Sequence, residues 1–265
     1  MRDIKILLLL AITFLVASCM NSNLEPDSAL VQLQTPQPVI FDTDMAHEDM
    51  IAALFLLGHP NINLRAITVA GTGEAHCQPG VAHALRLVAI SDHDAIPVAC
   101  GPQTPLAGDH VFPTSWREAA NNAYSVELPT ETREPTLSAP DLIIDILQNF
   151  EEKISIVAVG PLTNIAAALQ KSPEIGANIE TTTIMGGAVD VPGNVGVSSV
   201  GINNDFAEWN INIDPAAANI VFNSGVPITL VPLDATKEVP VTRNFYRALG
   251  EHRSTPAAEL VYELL

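Results

Sequence analysis

From residue 38 onward the chain alternates short β-branched runs with helical patterns, and few folds accept that alternation. It is the pattern of a parallel sheet whose strands are joined by crossover helices. The runs predict strands over Pro38–Phe41, Leu64–Ala70, Ile96–Cys100, Ile154–Val159, Thr181–Met185 and Pro227–Pro232. Helices are predicted over Asp49–Leu57, Pro79–Ile90, Pro140–Phe150, Pro161–Gln170, Pro215–Asn223 and Pro256–Leu265. All but the first begin on proline, which the first helical position favours. The expected fold is α/β, an open, mostly parallel, doubly wound sheet with helices on both faces. In such a sheet the loops after the strands gather on one edge, where ligands bind. Here those loops, "DTDMAHED", "GTGEAHC", "GPQTPLAGDH", "GPLTN", "GGAVDVPGN" and "PLDAT", are rich in Gly, Asp, Thr and Asn. The segment 101–140, with Trp116 and Tyr124, reads as an insertion over the same edge.

The first of these loops is the most acidic. In "VIFDTDMAHEDM", residues 39–50, the carboxylates of Asp42, Asp44, Glu48 and Asp49 crowd one turn, and the next basic residue is Arg65. Such carboxylates repel one another, so either their pKa values rise or a cation sits among them. Oxygen donors of this kind suit Ca²⁺ or Mg²⁺ better than Zn²⁺. The alternative is a solvated loop whose acids cap the following helix, where negative charge is welcome.

The 265 residues are 48% apolar and only 16% charged, which fits a well-buried domain over residues 38–265. A formal net charge of −18 argues against nucleic acid and anionic membrane surfaces as partners, since both are polyanions. Residues 1–18 read as an export signal: Arg2 and Lys5 precede the apolar stretch "ILLLLAITFLVAS", which is short for a membrane span. Its end, "LVASC", resembles a bacterial lipobox. Cleavage there exposes Cys19 for lipid attachment, and residues 19–37 become a polar tether. The expected location is therefore a membrane-anchored lipoprotein facing the periplasm or the cell exterior. Cys77 and Cys100 lie in different elements and read as small buried hydrophobes rather than as a bridge.

The segment "FDTDMAHEDM" resembles the N-terminal D-x-D-x-x-x-D-D signature of the calcium-dependent, inosine-uridine preferring nucleoside hydrolases. "TVAGTGEAHCQPGVAHALRL", "VAVGPLTNIAAAL", "IMGGAVDVPGN", "EWNINIDPAAANIVFNSG" and "PITLVPLDAT" follow in the family's order, across roughly residues 38–236. The resemblance implies hydrolysis of the N-glycosidic bond of ribonucleosides to free base and ribose, with Ca²⁺ as cofactor. It implies that Asp44 and Asp49 bind the ion through carboxylates and Thr163 through its carbonyl, with Asp42 in support. Glu48 falls at the general-base position. Asn194 and Glu208 fall where the ribose 5′-hydroxyl is met, Asn210 at the 3′-hydroxyl, and Thr72 at a substrate-side position.

The chain departs from the family at three places. Glu48 stands where the pattern has Asp, and Thr72 where many members have Asn. No residue after Asp234 fits the family's late D-P-L-A-like segment, which supplies a further metal-binding Asp. The expectation is a C-terminally shortened member with weak Ca²⁺ binding and impaired turnover, and its rival is a non-catalytic ribose- or nucleoside-binding lipoprotein. Base preference and association with further copies of the chain stay open.

Overall fold

Residues 35–265 are described by a computed structural model, apart from 94, 131, 132, 134, 136 and 199–202. The expected leader, Cys19 and the tether as far as residue 34 lie outside the described residues. Six strands form one sheet: β1 (Gln37–Thr43), β2 (Ile62–Val69), β3 (Val98–Cys100), β4 (Ile154–Ala158), β5 (Ile179–Met185) and β6 (Ile228–Val231). Their order is β3-β2-β1-β4-β5-β6, and all five pairings are parallel. The direction of winding reverses between β1 and β4, the place where an open α/β sheet leaves a crevice beyond its strand ends. Each expected strand is present, with boundaries within two residues of those expected.

The helices are α1 (His47–Gly58), α2 (Cys77–Ile90), α3 (Thr114–Asn121), α4 (Ala139–Asn149), α5 (Thr163–Lys171) and α6 (Val195–Ser198). They continue with α7 (Trp209–Ile213), α8 (Pro215–Phe222), α9 (Leu233–Thr236), α10 (Arg243–Gly250) and α11 (Pro256–Leu264). Proline is first in α8 and α11 and second in α4, as expected. Two starts differ. Helix α2 begins at Cys77, two residues before Pro79, and α5 begins at Thr163, two residues after Pro161.

Side-chain alternation along the strands splits the core into two layers. Val39 and Phe41 of β1 turn to one face, where they meet Met50 and Leu54 of α1, Val81 and Leu85 of α2, and Leu260 of α11. Ile40 turns to the other, packing with Ile156 of β4, Leu142 and Leu147 of α4, Ile165 and Leu169 of α5, and Val221 of α8. Strands buried on both faces in this way read as near-continuous apolar runs, which is why they were legible. No helix among the described residues is long and apolar enough to cross a membrane.

Cys77 and Cys100 form a disulfide, contrary to the expectation of two separate buried thiols. The sequence places them 23 residues apart in different elements, but the parallel β2–β3 pairing lays the end of β3 beside the start of α2. Spacing along the chain carries no trace of that proximity.

Candidate active site

The acid turn is built by its own backbone. Asp44 follows the end of β1, and Met45 turns the chain sharply with φ of 60°. The Thr43 hydroxyl donates to Asp49 Oδ2 at 2.7 Å and accepts from Met45 N at 2.9 Å, while Asp44 N donates to the same Asp49 oxygen at 3.2 Å. Asp49, in the first turn of α1, thus folds back onto Thr43 at the end of β1 and Asp44 after it. The loops after β2 and β4 close on Asp44 from either side. A Cβ on Gly73 would stand 2.0 Å from the Asp44 Cβ, and one on Gly160 would stand 2.8 Å from Asp44 N. Glu74 N donates to Asp44 Oδ2 at 3.1 Å.

Burial makes these acids costly to ionise. Asp42 and Asp44 are each pushed up to about 7, chiefly by burial; for Asp44 the charge of Glu74 adds to it. Burial and the neighbouring charge of Asp44 also hold Asp49 well above the usual carboxylate range. No Lys or Arg makes an ion pair with the three among the described residues. Glu48 differs: it is exposed, and its Oε2 lies 2.9 Å from His47 Nδ1. Desolvation opposes its charge, but the hydrogen bond and charge of His47 prevail and lower its pKa. In return the contact with Glu48 raises His47.

The four carboxylates therefore do not converge on a single point as the sequence suggested. Asp42 is turned away by Thr68 of β2 and by Asn164, whose Nδ2 donates to its Oδ1 at 2.8 Å; Glu48 is drawn to His47. Among the described residues no group of three His, Cys, Asp or Glu side chains could hold a metal. A cation here would rest on Asp44 and Asp49 together with neutral oxygens and water. The buried Asp42 Oδ2 has no hydrogen-bond partner among the described residues. The donors are hard carboxylate oxygens, and their raised pKa values are what a bound cation reverses, so the residues fit a hard divalent ion.

Thr163 opens α5, three residues after Gly160, and is fully buried. Its hydroxyl lies 2.9 Å from Asp214 Oδ2 and 3.0 Å from the Thr72 hydroxyl. Because a carboxylate only accepts, Thr163 donates to Asp214 and Thr72 donates to Thr163. Thr72 is thereby bonded to Thr163 in the interior. Asp214 caps α8 through Ala217 N and also accepts from Leu106 N.

Above the acid turn lies a cavity of about 600 Å³. Asp44, Glu48, Asn194, Glu208 and Asn210 all line it, so the structure unites five of the nine candidates at one surface. Asn210 Nδ2 donates to the carbonyls of Val159 and Met185 beyond β4 and at the end of β5, which leaves its Oδ1 as acceptor. Glu208 caps α7 by accepting from Asn210 N and Ile211 N, and takes Gly187 N at 2.9 Å. Burial raises its pKa. Asn194 accepts from Trp209 N at 3.0 Å.

The insertion does cover this edge: Phe112, Ser115, Trp116, Ala119 and Tyr124 line the cavity. Phe112 stacks on Trp209 with ring centroids 5.2 Å apart, and Trp116 meets Trp209 at 5.5 Å. Sequence reasoning passed over Glu74, Phe112, Trp209 and Asp214. Only Asp214 carried a signal, an Asp immediately before Pro215 at a helix start. Among the histidines near this edge, His47 faces the cavity, His76 bonds Asn121, and His110 Nδ1 meets the Asn212 carbonyl.

Comparison with known proteins agrees with this geometry. The pattern of the inosine-uridine preferring nucleoside hydrolases matches residues 39–265. The pyrimidine-specific ribonucleoside hydrolase RihA of Enterobacter sp. (strain 638) is 33% identical over 236 residues, covering 84% of this chain and 69% of that protein. The structure of a purine-preferring ribonucleoside hydrolase from Gardnerella vaginalis is similar, with 32% identity and a TM-score of 0.74 over 86% of this chain and 70% of that one. An inosine-uridine preferring nucleoside hydrolase from Bacillus anthracis, at 24% identity, shares the fold with a TM-score of 0.74, covering 86% of this chain and 75% of its own. The acid turn beyond β1, the polar loops along the same edge and this family match lead to one conclusion: the chain belongs to the inosine-uridine preferring nucleoside hydrolase family, enzymes that split ribonucleosides into base and ribose.

Proposed function

We propose that the cavity above Asp44 is where the ribosyl C1′–N bond is broken, with Glu48 as the base that takes a proton from the attacking water. The observation that carries this reading is the contrast within the acid turn. Glu48 alone is exposed and kept ionised by His47, while Asp44 and Asp49 are buried beneath it. Oxygen from water bonds to C1′, one of that water's protons passes to Glu48, and the C1′–N electron pair leaves with the base, which takes a proton from solvent. Positive charge develops on the sugar as the bond opens, and the surrounding carboxylates favour it. Asn210 Oδ1 and the remaining lone pairs of Glu208 accept from ribose hydroxyls, and Asn194 stands beside them. These contacts hold the sugar over the turn, which converts part of the barrier into binding.

Asp44 and Asp49, with the Thr163 carbonyl, are the residues that would hold Ca²⁺, and Asp42, bonded to Thr68 and Asn164, would stand behind them rather than bind the ion. When bound, such an ion supplies a lowered pKa for water and orients the sugar. The leader and the lipidated Cys19 belong to the same proposal, that of an exported, membrane-anchored enzyme. Labelling with a palmitate analogue should mark the wild type and miss Cys19→Ser.

Turnover of inosine, uridine and p-nitrophenyl riboside tests the assignment. Glu48→Gln should lower kcat by about 100-fold or more, the usual range for a general base, with nucleoside binding retained. Chelation should abolish turnover and added Ca²⁺ restore it. Wild-type rates in Glu48→Gln would sink the role given to Glu48.

A further inference from the structure

Glu74 stands in the cavity wall, yet neither the water attack nor the sugar contacts use it. It is fixed from two directions. Its backbone N–H donates to Asp44 Oδ2 at 3.1 Å, and its Oε2 accepts the Tyr124 hydroxyl at 2.7 Å. Tyr124 is itself set edge-on to His47, with ring centroids 5.4 Å apart. It lies in a run of three residues with left-handed backbone, Ala123, Tyr124 and Ser125, whose φ values are 47°, 52° and 69°. Non-glycine residues hold such a conformation only where their surroundings over-determine it.

The hydrogen count fixes what this pair presents. The one hydroxyl proton of Tyr124 is spent on Glu74, and a carboxylate has none to give. In its ionised form the pair, which lines the cavity, has only acceptors left to offer: Glu74 Oε1, which has no hydrogen bond among the described residues, and a lone pair on Tyr124 Oη. Strand order fixes where the pair lies. Glu74 follows β2, Asp44 follows β1, and Asn210 is bonded at the ends of β4 and β5. Along the order β2-β1-β4-β5, a ligand with its ribose at Asn194, Glu208 and Asn210 and its anomeric carbon over the acid turn would extend its base toward the β2 side, where Glu74 lines the cavity.

We infer that Glu74, oriented by Tyr124, accepts a hydrogen bond from an N–H on the base edge remote from the ribosyl bond, and so selects nucleosides that carry a lactam N–H or an amino group there. Glu74 is a specificity contact and Tyr124 its positioning residue. The inference rests on the hydrolase reading of the cavity, because that reading sets which end of the ligand is the sugar.

The test compares uridine with 3-methyluridine and inosine with 1-methylinosine, in which one methyl removes the donor. Binding is measured calorimetrically in a Glu48→Gln background so that substrate is not consumed. Hydrolysis of p-nitrophenyl riboside, whose leaving group has no N–H, is followed with Glu48 intact. Without further change the chain should favour the N–H member of at least one pair by about tenfold, equivalent to about 1.4 kcal/mol. In Glu74→Gln the amide oxygen takes the Tyr124 proton and turns NH₂ to the cavity, so that preference should fall to within about twofold. Tyr124→Phe should fall to about threefold, and p-nitrophenyl riboside turnover should stay within about threefold in both variants. Should Glu74→Gln not fold, the Tyr124→Phe ratio decides. Ratios unmoved in the folded variants, with p-nitrophenyl riboside turnover intact, overturn the base contact and leave the hydrolase reading standing. Collapse of the ratio in a chain that never hydrolyses p-nitrophenyl riboside supports the contact and removes the hydrolase reading.

Discussion

Gly73 approaches Asp44 so closely that a Cβ on the glycine would stand 2.0 Å from the Asp44 Cβ and 2.5 Å from its Oδ2. No flexible side-chain end is available to give way, because the atoms met belong to the short, buried Asp44. Gly73→Ala should therefore lower stability by about 1–3 kcal/mol through overpacking, and turnover should fall with it. Gly58→Ala is the matched control, since nothing lies within 4 Å of its Cβ. Urea midpoints for the two variants check the contrast, and equal stability would mean that the turn relaxes freely around Asp44.

Asp214 ties three segments together, accepting from Thr163 Oγ1, Leu106 N and Ala217 N. Asp214→Ala removes the cap of α8 and leaves buried donors unpaired, a loss of at least about 2 kcal/mol. Asp214→Asn keeps the fork but one of its arms becomes a donor facing a donor. It should lie between wild type and alanine in thermal unfolding, and a variant as stable as wild type would show that the network carries no stability.

Asp234 holds the loop that leads to Asn194: its carboxylate accepts from Val189 N at 3.0 Å and Asp190 N at 2.8 Å. Asp234→Ala should raise KM for nucleosides several-fold with a smaller effect on kcat, because the loop contributes to binding the sugar. Those two N–H groups hold the Asp234 carboxyl below its ordinary 3.8. A depressed pKa means that the anchor is fully present above the ordinary range and is lost only as pH falls through the depressed value. The KM difference between wild type and Asp234→Ala should accordingly persist at neutral pH and close only in strong acid. A difference that closes near neutrality would point to another group.

The Cys77–Cys100 bridge closes a loop over a sequence separation of 23. A loop of this size is worth about 3 kcal/mol in the chain-entropy account. Reductant should lower the urea midpoint of the wild type and leave a Cys77→Ala, Cys100→Ala double variant unchanged. Equal sensitivity of both would place the effect elsewhere.

The strands and major helices were legible because a sheet covered on both faces demands continuous β-branched runs, as in Ile154–Ala158, and its crossovers demand apolar helical spacing. The acid turn was legible for a different reason: like charges crowded without a counter-charge are rare. What stayed hidden depends on contacts between distant segments. Nothing in the order of residues tells that Tyr124 reaches Glu74, or that Asp42 is turned away toward Thr68 and Asn164. Helix α3 escaped because its Trp116 and Ala120 mark only one short apolar stripe among polar neighbours. Helices α6, α7 and α9 are of four or five residues, too short for any period to register.

The reversal of strand order between β1 and β4 also has a temporal side. The acid turn and Glu74 are synthesised early, whereas Asn194, Glu208 and Asn210 emerge about 120 residues later or more. Until β4 arrives, β1 is paired along one edge only, and the acid turn has one wall. A nucleoside can stabilise the native state only by the amount it binds there and not to earlier forms. Substrate therefore offers the growing chain no help with its first half. Once the domain is closed, protection of the molecule by a bound nucleoside would report on both halves at once, and a cut in either should erase it.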